Sequence, residues 1–259
     1  MTRQVYITIS WDDGHPADLR VAELLAKYGL RATFYVPRTA PGLTMTAAQI
    51  RELSSSFEIG AHTLHHLVLT KLGEQEAAYE IGGSKSWVED TTGAACSMFC
   101  APQGKFSRRH LEIARDAGYL GFRTVELSSL NFPCWKSGVL VLPTTVQACQ
   151  HSQLALTRNA VKRMILANLW RGLVHGSSAE WPGMAKSFLR HAVTFGGVFH
   201  LWGHSWELEG ERQWQRLEET LQLLNEAKAQ APSLSNGQLC LQSLVRMIPA
   251  TKLSREPQM

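Results

Sequence analysis

Short β-branched or apolar runs alternate with longer runs of helical periodicity from residue 5 to residue 228, and this rhythm constrains the fold more than any other feature. Strands separated by helices pair in parallel through crossover connections, so the pattern predicts βαβ units and a mostly parallel sheet. Residues 5–9 read as a strand broken by Asp12-Asp13-Gly14. Residues 18–28 read as a helix with Leu19, Val21, Leu24 and Leu25 on one face, stopped by Gly29. Strands follow at 31–36 and 57–61, with a short helix at 46–53 between them for which Thr46 is the N-cap. Further on, helices are expected at 72–89, 107–117, 154–170 and 182–194, and strands at 97–99, 120–124 and 198–202. A last helix at 211–228 carries Trp214, Leu217, Leu221 and Leu224 on one face. Residues 130–152, with Pro133 and Pro143, read as an irregular surface loop. With no internal repeat and no low-complexity linker, a single domain over 1–259 is expected.

The 259 residues are 44% hydrophobic and 19% charged, enough apolar side chain for a sizeable core and too much for a disordered chain. Lys plus Arg number 26 against 22 Asp plus Glu, a net charge of +4 without a run of five or more cations. Non-specific nucleic-acid binding is therefore not expected. The five cysteines, Cys96, Cys100, Cys134, Cys149 and Cys240, are scattered without a C-x-x-C pair, which predicts buried free thiols and neither a zinc ribbon nor a disulfide framework. The N-terminal residues do not read as a secretory signal, and no run approaches the roughly 18 apolar residues a spanning helix needs. A soluble, cytoplasmic protein without stable membrane insertion is the expectation; oligomeric state is not readable.

Three segments that could carry chemistry each lie just after an expected strand, where parallel α/β sheets build their sites. Asp12-Asp13-Gly14 is ordinary turn composition, but adjacent carboxylates repel unless a cation or proton lies between them. His62-Thr63-Leu64-His65-His66 holds three histidines in five residues, hard to explain as packing. His62 and His66 are four apart, so on a helical turn they would share a face and could grip one ion, with His65 pointing elsewhere. In His200-Leu201-Trp202-Gly203-His204, strand alternation puts His200, Trp202 and His204 on one face. His200 could be a core histidine, and His204 at the strand end is better placed to meet substrate. Two histidines and an aspartate suit a divalent ion with positions left for water. Together with a free carboxylate as base and a facing histidine as acid, that set suits amide or ester hydrolysis.

With those residues placed, the chain resembles the polysaccharide deacetylase family, also called the NodB-homology or carbohydrate esterase family 4 group. Ser10-Trp11-Asp12-Asp13-Gly14 is similar to its first motif, His62-Thr63-Leu64-His65-His66 to its His-Ser/Thr-x-x-His motif, and residues 198–204 to the segment supplying its catalytic histidine. The resemblance implies a distorted (β/α) barrel of about seven parallel strands. It implies a metal-dependent deacetylase with Asp12 as general base and Asp13, His62 and His66 as metal ligands. His204 would be the general acid, with His200 as its rival. A divalent ion is the implied cofactor, zinc first, with cobalt, nickel and manganese compatible. The implied partner is an acetylated sugar or glycan precursor. Two departures stand out. Phe99-Cys100-Ala101-Pro102-Gln103-Gly104 puts Cys100 where the third motif has an arginine that orients the base, and Arg123 is the expected replacement. Gln103 stands where a tyrosine is common, and its backbone N–H could still serve the oxyanion. The fourth motif, an Asp paired with a Trp, has no convincing match. Trp11, Trp202 and Trp206 flank the motifs and either stack on sugar or pack in the core. Two other readings stay open: an amidase or deformylase for a non-sugar C–N bond, and a degenerate metal-containing carbohydrate-binding protein.

Overall fold

Along the first strand, β1 (Val5–Asp12), side chains alternate between two buried environments. Ile7, Ile9 and Trp11 join an apolar cluster with Val21 and Leu25 of the first helix and Leu217, Leu221 and Leu224 of a late one. Thr8, Ser10 and Asp12, on the opposite face, are buried as well. A parallel strand covered on both sides has this signature. The protein is described here by a computed structural model, in which residues 4–149 and 180–247 are described.

Among those residues the next elements are α1 (Asp18–Lys27), β2 (Thr33–Val36), α2 (Ala47–Ser54), β3 (Glu58–Ala61), α3 (Glu74–Thr92), β4 (Met98–Cys100) and α4 (Arg108–Asp116). Then come β5 (Gly121–Arg123), β6 (Cys134–Lys136), β7 (Val139–Leu142), β8 (Val146–Gln147), α5 (Trp181–Phe195) and β9 (Gly197–His204). The chain closes with α6 (Glu211–Ala227), β10 (Ser233–Leu234) and α7 (Asn236–Met247). The sheet order is β6-β7-β5-β4-β3-β2-β1-β9-β8, with β10 paired to β1. Every pairing is parallel except β6 with β7. The sheet curls into a half-barrel, the distorted (β/α) barrel the sequence implies. The helix expected at 154–170 lies outside the described residues.

Local signals set most boundaries. Thr46 caps α2 as expected: its hydroxyl accepts from the Gln49 N–H, and the Gln49 side chain accepts from the Thr46 N–H. Such caps contribute about 1 kcal/mol. In α6, Trp214, Leu217, Leu221 and Leu224 are buried.

Two regions differ from the sequence reading. The described part of the 130–152 stretch, residues 130–149, is not an irregular loop: it contains β6, β7 and β8, and all four residues of β7 are buried. Val139-Leu140-Val141-Leu142 is an unbroken apolar run too short to show a period, so only its neighbours identify it as a central strand. Beyond residue 228, β10 and α7 were not anticipated. Leu239 and Cys240 of α7 join Tyr35, Met98, Cys100, Leu140, Leu142 and Val198 in a second cluster on the other side of the sheet from the first. Its start is tied down by Gly237 N–H donating to Glu58 (3.0 Å) and Asn236 N–H to the Thr33 hydroxyl (2.9 Å). None of the cysteines forms a disulfide, but only Cys96, Cys100 and Cys240 are buried; Cys134 is exposed and Cys149 half-buried. No helix among the described residues is long and apolar enough to cross a membrane.

Candidate active site

At the end of β1 the chain turns at once, with Asp13 at φ 76° and Gly14 at φ 62°. Left-handed backbone costs an L-residue roughly 1–2 kcal/mol, and Asp is among the few that adopt it readily. The turn puts Asp13 Oδ1 3.4 Å from His62 Nε2 and 3.0 Å from His66 Nε2. One ligand atom from each of the three lies within 4.8 Å of the others.

Residues 62–66 are not the helical turn their spacing suggested. Thr63 (φ 59°) and His66 (φ 55°) both adopt left-handed backbone, and the loop folds back until the His62 and His66 rings lie 5.1 Å apart. Strained non-glycine backbone persists where surrounding contacts over-determine it, often at functional sites. His62 follows β3 directly, and its Nδ1 donates to the Cys100 carbonyl (2.8 Å), which leaves Nε2 aimed at Asp13. His65 does point elsewhere. Its Nδ1 meets Glu80 Oε1 at 2.6 Å and its backbone N–H donates to Glu80 Oε2 at 2.8 Å, pinning the loop to α3. Gly60 at the end of β3 is required by space, since a Cβ there would lie 2.6 Å from the Tyr35 ring.

The donor set fits a divalent ion: two imidazole nitrogens and one carboxylate oxygen converge at a strand end. Burial alone would raise the Asp13 carboxyl, but hydrogen bonds from His62 and His66 outweigh it and hold the group well below the usual carboxylate range. Asp13 is a carboxylate under all ordinary conditions.

Asp12, 2% exposed, accepts from Arg123 Nη2. Arg123 ends β5, has no exposed surface, and lies between the Tyr35 and Trp202 rings, 5.0 Å from each centroid. Burial works against its charge and the Asp12 carboxylate outweighs that, so it remains a cation. Cys100 is beside this pair but outside the ligand trio; burial pushes its thiol well up, as for an inert core cysteine.

The two rival histidines on β9 separate clearly. His204 Nε2 is 3.9 Å from Asp13 Oδ2, and its Nδ1 is 2.9 Å from Glu207 Oε2. Burial disfavours protonated His204, but the Glu207 hydrogen bond and the Asp12, Asp13 and Glu207 charges raise its pKa above the ordinary value. His200 lies four residues back, 1% exposed, with Nε2 2.9 Å from the Ser10 hydroxyl. Burial and the Arg123 charge push its pKa well down, the state of a neutral core histidine. Of the two, the fold brings only His204 to Asp13.

The sequence reading missed Glu207 and Asp18 here, and left Trp206 open between sugar stacking and core packing. Glu207 and Trp206 lie on the turn directly after His204, inside a segment already singled out; sequence spacing could have suggested that a carboxylate three residues on reaches back. Asp18, at the start of α1, carries no motif signal. It is fully buried, and burial followed by the Asp12 and Asp13 charges raises its pKa well above the usual value. Of the flanking tryptophans, Trp11 and Trp202 are buried, whereas Trp206 is 47% exposed. Gln103 forms the apex of the turn after β4, with left-handed backbone at φ 58°.

Residues 1–122 match the profile of the family described as polysaccharide deacetylase. Chitin deacetylase 1 of Cryptococcus neoformans var. grubii is 29% identical over 111 residues, 42% of this chain. The match spans only 23% of that relative's length. Among solved structures, a Mycobacterium smegmatis protein provisionally described as a polysaccharide deacetylase superposes with a TM-score of 0.69 at 14% identity, covering 100% of this chain and 96% of its own. A chitin deacetylase from Colletotrichum lindemuthianum gives 0.58 at 14% identity, covering 92% and 90%. At such identities the structures attest the fold, while the matched segment contains Asp12, Asp13, His62 and His66. Over residues 1–122 the chain is similar to the polysaccharide deacetylase family, and over its whole length it shares the fold of the solved structures above.

Proposed function

We propose that this protein is a metal-dependent hydrolase that removes an N- or O-acetyl group from a sugar or glycan precursor. The observation that carries the reading is the convergence on Asp13 of His62 and His66 from the loop after β3 and of His204 from the end of β9, next to an Asp12 paired with a buried arginine. Asp13, His62 and His66 would hold the divalent ion, zinc before cobalt, nickel or manganese. When bound, such an ion polarises a carbonyl and lowers the pKa of water toward about 7.

The remaining work falls to the chain. Asp12 takes the proton of the attacking water, and the Arg123 Nη2 hydrogen bond keeps its carboxylate in one orientation. His204, protonated with support from Glu207, returns a proton to the departing amine or alcohol. The Gln103 backbone N–H is a donor for the oxyanion, a task for which its side chain is irrelevant. Acetate release from a panel of acetylated amino sugars, with and without chelator, tests the reading. Release that survives chelation removes the metal, and release from simple amides but from no sugar favours an amidase. Metal uptake without any hydrolysis marks a binding protein.

A further inference from the structure

Asp13 uses its two oxygens differently. Oδ1 faces His62 and His66, whereas Oδ2 accepts a 2.9 Å hydrogen bond from the indole Nε1 of Trp206. Trp206 lies on the turn Ser205–Glu207, so its ring is set by the same segment that delivers His204. The two rings are stacked, centroids 5.2 Å apart and planes inclined by 29°. An indole whose N–H is used inward and whose ring remains 47% exposed presents a flat apolar surface next to the catalytic histidine.

Resting on the proposed function, we propose that Trp206 is both a positioning residue for Asp13 and a specificity-determining residue for the substrate. Its N–H occupies Oδ2, so that Asp13 offers a single oxygen to the ion. Hydrogen-bond partners of ligating carboxylates fix ligand orientation in this way, and their loss costs about 10–100-fold in metal affinity. The open ring face is where a pyranose stacks through its C–H face, which sets the acyl-bearing substituent toward His204. Rings gain from such contacts and open-chain acyl compounds do not, so Trp206 selects sugars over linear amides.

The test separates the two tasks. Trp206→Phe keeps a ring but loses the N–H, and Trp206→Ala loses both. Zn²⁺ affinity of metal-free protein is measured by competition with a chromophoric chelator, which requires no turnover. Binding of an N-acetylated chito-oligosaccharide to Zn²⁺-saturated protein is measured by calorimetry, with a linear N-acetyl alkylamine as the ringless control. Both variants are expected to bind Zn²⁺ about tenfold more weakly. Only Trp206→Ala should also lose about two- to tenfold in oligosaccharide affinity, with the alkylamine unaffected. Wild-type Zn²⁺ affinity in Trp206→Phe overturns the positioning role, and wild-type oligosaccharide affinity in Trp206→Ala overturns the platform. A wild-type protein that takes up no Zn²⁺ overturns instead the metal-site reading beneath both.

Discussion

Cys100 and Arg123 are register partners on adjacent parallel strands, β4 and β5, so the cation beside Asp12 stands one strand across from the family's arginine position and at the same height in the sheet. Parallel register makes the exchange geometrically cheap, because partnered residues leave the sheet side by side. Arg123→Ala is expected to lower kcat by about 100-fold, within the range of general-base contributions, with metal content unchanged. Arg123→Lys should recover only part, since lysine lacks the planar fork. Cys100→Ser should leave kcat within about twofold, as for a residue outside the chemistry. Loss of metal in Arg123→Ala, or a large effect in Cys100→Ser, would mean the cation's task has been misassigned.

Metal content tests the ligand trio directly. About one divalent ion per chain is expected, and His62→Ala combined with His66→Ala should abolish it. Asp12→Asn should retain the ion while kcat falls by at least about 100-fold. If Asp12→Asn loses the metal and Asp13→Asn keeps it, elemental analysis will show that the carboxylates have exchanged roles.

The pH–rate profile reports on Glu207. His204 must be protonated to act as acid, so activity falls as pH rises through its pKa, which Glu207 helps to raise. In Glu207→Gln the imidazolium loses that support, and the alkaline limb should move to lower pH with kcat reduced about tenfold. An alkaline limb unchanged in Glu207→Gln would remove His204 as the group it reports.

Asp18 makes a prediction about stability. Its folded-state pKa is raised, chiefly by burial, and neither oxygen makes a well-formed hydrogen bond. A raised carboxyl supports the fold fully below the unfolded value, ~3.9, and that support disappears as pH rises through the folded pKa. Asp18→Asn has no proton to lose. Its Tm relative to wild type should therefore climb as pH rises above about 4, by several degrees if the buried charge costs 1–2 kcal/mol. A Tm difference that does not vary with pH would show that Asp18 does not titrate as described.

Strand and helix rhythm needs only local information, and so β1, α1, α2 and α6 were legible within a few residues. Thr46 with Gln49, or Trp214 with Leu217 and Leu221, announce themselves because the interactions that make them are three or four residues long. The candidate ligands were legible for a related reason: a carboxylate pair and a histidine cluster after strands are uncommon in type and close in sequence. What local information could not supply was backbone path and partnership. The spacing of His62 and His66 suggested a helical turn, yet left-handed residues bring their rings together by another route. Val139–Leu142 could not be recognised as a strand until β5 lay beside it. His200 and His204 were equivalent by alternation, and only the position along β9 buries one against Ser10 and delivers the other to Asp13. Arg123 became the partner of Asp12 through a 111-residue separation, and Trp206 reached Asp13 across 193. Sequence by itself determined the repertoire of elements and the chemistry available at the strand ends. Tertiary structure decided which side chains share a volume, because that depends on sheet register and loop closure, which no short stretch of chain encodes.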